Sequence, residues 1–194
     1  KFAELVKLVN ENANQGKKTL IWSNFVRNLD YLANRLLAGL KPALIHGGIS
    51  FEPTPGISRN RVDELARFRN DPECLVLVAN PAALGEGVSL HETCHDAVYL
   101  DRTFNAGQYL QSLDRIHRLG LPPDAETNIT LLQSIGTIDE VIDARVREKT
   151  ERLEILMDDP HLAAMALPDG NEYSEPLHPD DLQALFLHLS NDSS

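Results

Sequence analysis

Apolar residues recur in two alternating patterns along the first 155 residues of the chain. Five short runs are apolar apart from one threonine in two of them, which is typical of buried strands, and between them apolar residues recur every three or four positions, which is typical of helices. The predicted strands are Thr19–Trp22, Ala43–Ile45, Leu75–Val78, Ala97–Leu100 and Ile129–Leu132. Continuously apolar strands that alternate with helices form parallel sheets covered on both faces, so the pattern predicts an open, doubly wound α/β fold.

The predicted helices flank these strands. They are Phe2–Val9, Val26–Leu37, 58–68, 106–118 and 137–156. Asn24 and Ser58 precede the second and third helices and are their predicted caps. Ligands of open α/β sheets bind at the carboxyl ends of the strands, so the segments that follow the strands are expected to carry the chemistry.

The C-terminal part of the chain differs in composition from the rest. From Asp158 onward there are eight acidic residues and no Lys or Arg, whereas the body has 21 acids against 18 bases. Prolines interrupt this segment, and one short amphipathic helix is predicted after His178, with acidic residues at its start. We therefore expect a lobe over residues 1–156 and a short acidic extension, helical or irregular, over 157–194. The helix is expected to pack on the body, or else to bind a protein partner.

Charge, hydropathy and cysteine content indicate which partners and which cellular location to expect. The formal net charge of −11 predicts that this piece alone binds nucleic acid weakly, since such affinity comes mainly from neutralising phosphates. No apolar run approaches the ~20 residues that span a bilayer, so no membrane partner is expected. Two cysteines, Cys74 and Cys94, are too few for a disulfide framework, and a cytoplasmic location is expected.

The most distinctive segment is Gln111–Gly120, with the sequence QSLDRIHRLG. On a helix, residues three and four apart share a face, so Gln111, Asp114, Arg115 and Arg118 are predicted to lie together. Arginine is always charged and presents a fork of donors that matches phosphate oxygens. The segment therefore suggests a polyphosphate site, although a solvated helix face with an Asp–Arg pair is the alternative.

Three further segments, each at or just after a predicted strand, come before Gln111–Gly120 in the chain. They are the strand-to-helix unit Leu20–Arg27, the loop 46–48 with the sequence HGG, and the loop Leu84–Leu90 with the sequence LGEGVSL. A fourth, Asp101–Asn105, leads directly into the Gln111–Gly120 segment. The ordered set resembles, over roughly residues 1–150, the second RecA-like lobe of superfamily-two helicases, and most closely that of the Swi/Snf-type DNA translocases.

The resemblance implies a RecA-like sheet and a motor that uses ATP and Mg²⁺. ATP would lie in a cleft shared with an N-terminal RecA-like lobe, which would bind most of the nucleotide and the metal. An arginine finger supplied across such a cleft is worth ~10³–10⁵ in rate. The implied catalytic residues are Arg118 as the finger, Arg115 in phosphate contact or cleft geometry, and Gln111 in orienting water or contacting the other lobe. Asp114 would hold an arginine in place, and Gly85 and Gly87 would let the backbone approach the ligand.

The resemblance also implies the nucleic acid along which the motor moves, here called its track. This is double-stranded DNA, with RNA as an alternative. The residues implied to hydrogen-bond to its phosphate backbone are Ser23, Asn24, His46 and Ser89. The phosphate loop of such motors, G-x-x-x-x-G-K-[ST], is missing. The segment 16–19, GKKT, has lysine where the pattern needs Ser or Thr, and it precedes a strand. The chain is therefore expected to be half of an enzyme and to hydrolyse no ATP alone.

Two alternatives compete with the motor interpretation. The segment 91–95, HETCH, matches H-E-x-x-H, the signature of zinc proteases, which needs both histidines on one helix face. A strand is predicted to begin directly after it, so at most one helical turn fits and no metal site is expected. The other alternative is a non-catalytic interaction module derived from a helicase lobe, with the acidic extension binding a partner.

Overall fold

The computed structural model describes residues 1–53, 55–56, 59–84, 88–117, 126–157 and 178–191. Within them, five strands form one sheet: β1 (Thr19–Trp22), β2 (Ala43–Ile45), β3 (Val76–Ala79), β4 (Asp96–Tyr99) and β5 (Asn128–Leu131). Every pairing is parallel and the spatial order is β2-β3-β1-β4-β5. The predicted parallel α/β sheet is confirmed, with β1 at its centre.

Strand pairing shifts three of the predicted strand boundaries by one residue. β3 begins at Val76, and β4 begins at the polar Asp96, because both pair with Thr19 at the start of β1. β5 begins at Asn128, which pairs with Asp96. Hydropathy could not place these boundaries, since the pairing register with a neighbouring strand includes the polar Asp96 and Asn128 and leaves out the apolar Leu75.

The helices are α1 (Phe2–Asn14), α2 (Val26–Tyr31), α3 (Arg61–Asn70), α4 (Ala106–Leu113), α5 (Ile138–Met157) and α6 (Pro179–Asn191). The predicted helix Val26–Leu37 is not uniform: after α2 the chain forms a π-helical turn at Leu32–Leu36 and then a 3₁₀ turn at Ala38–Leu40. In the part of the chain that the structure describes, no helix combines the length and apolar character needed to cross a membrane.

Both predicted helix caps need correction. The residue that precedes α2 is Phe25, which makes no side-chain cap, and the polar groups of Asn24 bond elsewhere. Helix α3 is capped by Asn60, whose side chain accepts a hydrogen bond from the Asp63 amide at 2.8 Å. Ser58, the predicted cap, lies outside the described residues. Asn and Ser are nearly equivalent as caps, so composition alone could not choose between neighbouring positions.

Helices α1 and α2 and the π-helical turn cover one face of the sheet. Their buried residues Leu5, Val9, Leu29, Leu32 and Leu37 belong to one apolar cluster with Ile21, Leu44, Val76, Val78 and Val98 of the strands. The alternate strand residues Leu20, Trp22 and Leu77 are buried as well. Side chains of a strand alternate between faces, so both faces of the sheet are covered, as a parallel sheet requires.

The chain divides into two compact units. The first comprises residues 1–101 and 112–132 and contains the sheet, and the second comprises 102–111 and 133–194. In the second unit, α6 packs on α5 through Asp181, whose buried carboxylate accepts hydrogen bonds from Lys149 Nζ at 2.6 Å and Arg145 Nε at 3.3 Å. The acidic start of the predicted tail helix thus carries a buried ion pair. The boundary after residue 156 stays a prediction.

The segment that leaves β4 is anchored within the second unit by Arg102. Its guanidinium donates to Asp143 of α5 and lies 5.2 Å from the centre of the Tyr109 ring. Burial alone would raise the pKa of Asp143, but hydrogen bonds from Arg102 and Gln133, with the charges of Arg102 and Arg147, hold that pKa below its ordinary value. The ionised Asp143 therefore fixes Arg102 at neutral pH.

The outer edge of the sheet at β2 is closed by a carboxylate. Glu64 of α3 has a side chain only 11% exposed, and its Oε2 accepts the Leu44 amide at 2.7 Å and Arg67 Nη2 at 3.0 Å. Because β2 pairs with β3 on one side alone, the Leu44 N–H points away from the sheet and needs an acceptor.

Replacement of Glu64 by alanine is expected to lower the free energy of unfolding by about 1–3 kcal/mol, since it leaves the buried Leu44 amide without its acceptor and removes the ion pair with Arg67. Urea denaturation followed by circular dichroism measures this. Glu11→Ala, at an exposed position of α1, is the matched control and should change stability by less than about 0.5 kcal/mol. Equal effects of the two substitutions would contradict the role assigned to Glu64.

Candidate functional site

Asp101 organises the segments at the carboxyl ends of the central strands. It follows β4, and its carboxylate accepts hydrogen bonds from Ser23 and Asn24 of the turn after β1 and from Asn28 of α2. The Asn24 amide donates to Oδ1 at 2.7 Å, while the Ser23 hydroxyl and Asn28 Nδ2, the latter at 3.3 Å, donate to Oδ2. One charged group thus joins the ends of two neighbouring strands.

This arrangement defines where two predicted DNA-contacting residues lie. Ser23 is fully buried, and its hydroxyl donates to Asp101 and accepts the Phe25 amide at 3.2 Å. A phosphate could reach that hydroxyl only after the turn opens, so Ser23 positions the turn in this structure. Asn24 is half-buried, and its side chain donates weakly to Asp101 at 3.4 Å. Asn24 remains accessible for the predicted contact.

Asn80 and Arg61 tie further segments to the same edge. Asn80 follows β3, and its side-chain amide donates to the carbonyls of Ser23 at 3.3 Å and Asn24 at 3.1 Å. Arg61 of α3 donates to the carbonyls of Ile49 (2.7 Å), Ala83 (3.3 Å) and Gly47 (3.3 Å). The segments that follow β1, β2 and β3 are therefore held by side chains whose donors point at main-chain carbonyls.

His46 lies at the end of β2 and is buried. Its Nδ1 accepts the Gly48 amide at 3.1 Å, which leaves Nε2 to carry the proton and to face Asp30 Oδ1 at 3.3 Å. A Cβ atom on Gly48 would lie 3.1 Å from His46 Cε1, so a larger residue here would press on the histidine ring. His46 has both ring nitrogens bonded within the protein, and its predicted contact with DNA stays a prediction.

The arginine segment departs from its predicted helix. Helix α4 ends at Leu113, and residues 114–116 form a turn instead of continuing to 118. The physical reason is a competing hydrogen bond: the Arg115 carbonyl, which a longer helix would direct to its own chain, accepts the Leu90 amide at 2.6 Å. Arg115 Nη1 also donates to the Val88 carbonyl at 3.2 Å. The turn is therefore attached to the loop that carries Ser89.

The other predicted residues of the nucleotide site are placed as follows. Gln111 lies in the last turn of α4 and Asp114 in the turn that follows, and both side chains are exposed. The predicted pairing of Asp114 with an arginine stays a prediction. Arg118, Gly85 and Gly87 lie outside the described residues, so their predicted roles stay predictions as well.

The segment that matches H-E-x-x-H is a turn followed directly by β4, not a helix. His91 Nδ1 hydrogen-bonds the Ser89 hydroxyl, and Cys94 is buried with its Sγ 3.2 Å from each of the Lys18 and Asp96 carbonyls. Burial raises the pKa of the Cys94 thiol to about 12, whereas a zinc ligand must be a thiolate. In the described ranges, no three or more His, Cys, Asp or Glu residues are grouped to hold a metal ion.

The lysine-rich segment before β1 also has a structural role. Lys18 donates to the carbonyls of Phe68 and, at 2.9 Å, Asp71, and its ammonium lies 5.2 Å from the centre of the Phe68 ring. This ammonium closes the end of α3, where carbonyls without helical partners attract cations. The arrangement differs from a phosphate loop, in which the lysine points at the nucleotide.

Sequence reasoning did not single out Asp101, Asn80 or Arg61, although each stabilises the site loops. Asn80 directly follows β3 and Asp101 lies two residues after β4, which is a usable signal in a parallel sheet, because polar residues there meet at one edge. Arg61 gives no such signal, since it lies in the first turn of a helix whose charged residues look like a solvated face.

With this geometry established, comparison with known proteins defines the class. Residues 1–120 match the family described as "Helicase conserved C-terminal domain", and the chain belongs to this family. The similarity is, in particular, to the C-terminal lobe of Swi2/Snf2-type ATPases, which confirms the resemblance carried by the ordered motifs and the RecA-like fold.

Two curated relatives illustrate the similarity. The chromatin-remodeling ATPase INO80 of Homo sapiens is 28% identical over 188 residues, which are 96% of this chain and 11% of the relative. The protein of the same name in Neurospora crassa is 27% identical over 152 residues, 78% of this chain and 7% of the relative. The chain therefore spans about a tenth of the length of the curated relatives it matches.

Solved structures agree with this assignment. The C-terminal part of the Fun30 ATPase domain superposes with a TM-score of 0.58 at 26% identity, covering 74% of this chain and 44% of that one. The SWI2/SNF2 ATPase core of Sulfolobus solfataricus, solved in complex with double-stranded DNA, gives a TM-score of 0.56 at 20% identity, covering 83% and 32%. The second similarity concerns the fold alone.

Gly48→Ala is expected to lower the free energy of unfolding by about 1 kcal/mol, because the new Cβ presses on a buried histidine held at both ring nitrogens. Gly47→Ala is the matched control: a Cβ there meets nothing within 4 Å, so stability should stay equal or rise slightly. Thermal unfolding of both variants tests the difference. A Gly48→Ala protein as stable as Gly47→Ala would show that the loop adapts freely.

Cys94 is expected to resist alkylation by iodoacetamide at pH 8 in the folded protein, because its buried thiol stays protonated. Mass spectrometry after timed labelling measures the modification, and the same protein in denaturant, where both cysteines should react, is the control. Rapid labelling of Cys94 without unfolding would contradict the burial described here and would restore the metal-binding alternative.

Proposed function

We propose that this chain is the C-terminal motor lobe of an ATP-dependent double-stranded-DNA translocase. The observation that carries the proposal is the attachment of the turn 114–116, here called the arginine turn, to the loop 88–90. The Arg115 carbonyl accepts the Leu90 amide, and the Arg115 guanidinium donates to the Val88 carbonyl. In this arrangement Arg115, which we assign to the nucleotide site, and the loop 88–90, which we assign to the DNA, belong to one hydrogen-bonded structure. Such coupling is what a motor needs to convert phosphate chemistry into movement.

Arg118 is the proposed arginine finger, and Arg115 has a positioning role beside it. One N–H of Arg115 already holds the Val88 carbonyl, so its charge is fixed near the loop. When the lobes close, Arg118 would stabilise the charge that develops on the γ-phosphate, an effect worth ~10³–10⁵ in rate in comparable enzymes. Gln111, exposed at the end of α4, would orient the attacking water.

ATP and Mg²⁺ would be bound mainly by an N-terminal RecA-like lobe. This division fits the Arg115 guanidinium in the turn 114–116, which is suited to phosphate oxygens. The Mg²⁺ supplied with the nucleotide would neutralise phosphate charge. The chain's own residues would orient the γ-phosphate and exclude water as the cleft closes.

The proposed track is double-stranded DNA, gripped through its phosphates by loops at the carboxyl edge of the sheet. Asn24, His46 and Ser89 follow β1, β2 and β3 along the chain and would contact the backbone, with Ser23 positioning the first loop through Asp101. Phosphate contacts carry no sequence information, which suits a translocase. The DNA complex of a structural neighbour supports this choice of track.

In a protein that joins this chain to its N-terminal lobe, Arg118→Ala is expected to lower DNA-stimulated ATP hydrolysis by about 10³-fold or more, because the transition-state charge loses its partner. Arg115→Ala should give a smaller loss, roughly tenfold to a hundredfold, since it loosens the turn while leaving the finger in place. Steady-state hydrolysis with saturating duplex DNA measures both effects.

Arg152→Ala is the matched control, because Arg152 is exposed on α5 and pairs with Glu148 of the same helix. It should hydrolyse ATP at the wild-type rate. A wild-type protein that binds ATP but shows no DNA-stimulated hydrolysis, or an Arg118→Ala protein with full activity, would refute the motor assignment. Either result would favour the alternative of a non-catalytic interaction module.

A further inference from the structure

A cleft of about 680 Å³ lies beside the outer edge of β2, on the side where that strand begins. Its polar lining consists of Asn34, Lys41, Arg59, Glu64 and Arg67. Lys41 precedes β2, whereas the site described above is built from residues that follow the strands. The volume is within the range of small-molecule sites. Neither the proposed nucleotide contacts nor the proposed DNA contacts use this cleft.

The lining carries excess positive charge. Three of its residues are basic and one is acidic, in a chain whose formal net charge is −11. The single carboxylate, Glu64, is shared among the Leu44 amide, Arg67 Nη2 at 3.0 Å and Arg59 Nε at 3.5 Å. One negative charge therefore faces three positive ones, and the imbalance favours an anion in the cleft.

The cleft is partly preorganised. Arg67 donates from Nη1 to the Lys41 carbonyl at 2.7 Å and from Nη2 to the Pro42 carbonyl at 2.9 Å, which fixes the guanidinium against the chain entering β2. The Arg59 side chain is 39% exposed, and its nearest charged partner is Glu64 at Nε. The outer fork of Arg59 and the ammonium of the exposed Lys41 can therefore turn towards a ligand.

The backbone around the cleft provides a second, independent observation. Ala33 and Asn34 lie in the π-helical turn Leu32–Leu36, and π-helical turns occur frequently at functional sites. Lys41 has φ of 48°, and among the described residues it is the one non-glycine residue with positive φ. Lys41 is the left-handed residue that ends the 3₁₀ turn Ala38–Leu40, and a non-glycine residue is strained in this conformation. Two unusual backbone features thus border the same basic cleft.

We propose that this cleft binds a small molecule that carries two or more phosphate groups. Lys41 and Arg59 contact the ligand's phosphates, and Arg67 contributes positive charge from a fixed position. A polyphosphate matches the lining better than a single carboxylate because it places several oxygens among separate cations. Binding joins α3 to the chain before β2. The inference is independent of the motor assignment, since it uses neither the arginine turn nor the carboxyl-edge loops.

Isothermal titration calorimetry with inorganic pyrophosphate on the 194-residue chain tests the proposal. We expect saturable binding with one molecule per chain, weakened roughly tenfold or more in the double variant Lys41→Gln, Arg59→Gln, which removes two charge-assisted contacts. The double variant Lys7→Gln, Arg152→Gln loses the same charge at exposed sites and should bind like the wild type. Circular dichroism checks that each variant is folded.

Other outcomes of the titration would contradict the proposal. No saturable heat with the wild type, or equal weakening in both double variants, overturns the proposal, the second because it would reflect net charge alone. Sulfate at matched ionic strength should not compete, and full competition by sulfate would likewise indicate a non-specific anion effect. Displacement of pyrophosphate by a short DNA duplex, with duplex affinity lost in Lys41→Gln, Arg59→Gln, would assign the cleft to the nucleic-acid track instead.

Discussion

The rest of the structure depends on the burial of β1 between two parallel partners. Thr19–Trp22 pairs with β3 on one side and β4 on the other, although these strands are far from it in sequence. The pairing brings the segments after all three strands to one edge, since parallel strands share their carboxyl ends. Three apolar residues and a buried threonine at the centre of the sheet thus determine where polar residues elsewhere in the chain meet.

At that edge charged and amide side chains hold the loops, together with the buried apolar residues Leu84 and Leu90. Asp101 collects donors from the turn after β1, Asn80 returns to the carbonyls of that turn, and Arg61 collects carbonyls from the next two loops. Each of these groups pairs with main-chain atoms, so the loop shapes depend little on the side chains displayed outwards. Side chains that contact a ligand can therefore vary while the frame persists.

The sheet could be predicted from the sequence because burial on both faces imposes a simple apolar pattern, and the motif order pointed to the correct family. The limits were set by local competition. The end of α4 at Leu113 depends on a hydrogen bond from Leu90, which lies more than twenty residues earlier, and no local pattern reports it. Likewise, Ser23 is a residue type that often binds ligands, but only the fold shows that its hydroxyl already donates a hydrogen bond to Asp101.

The bond between the Leu90 amide and the Arg115 carbonyl has a consequence for the entropy of ligand binding. A loop that is ordered when the protein folds has already lost its conformational freedom, at roughly 1–2 kcal/mol for each backbone residue fixed. Loop 88–90 and the arginine turn share this cost at folding, so little of it is left to oppose the arrival of a ligand. Affinity at this edge then depends mainly on the contacts made, and it becomes sensitive to any substitution that releases the turn.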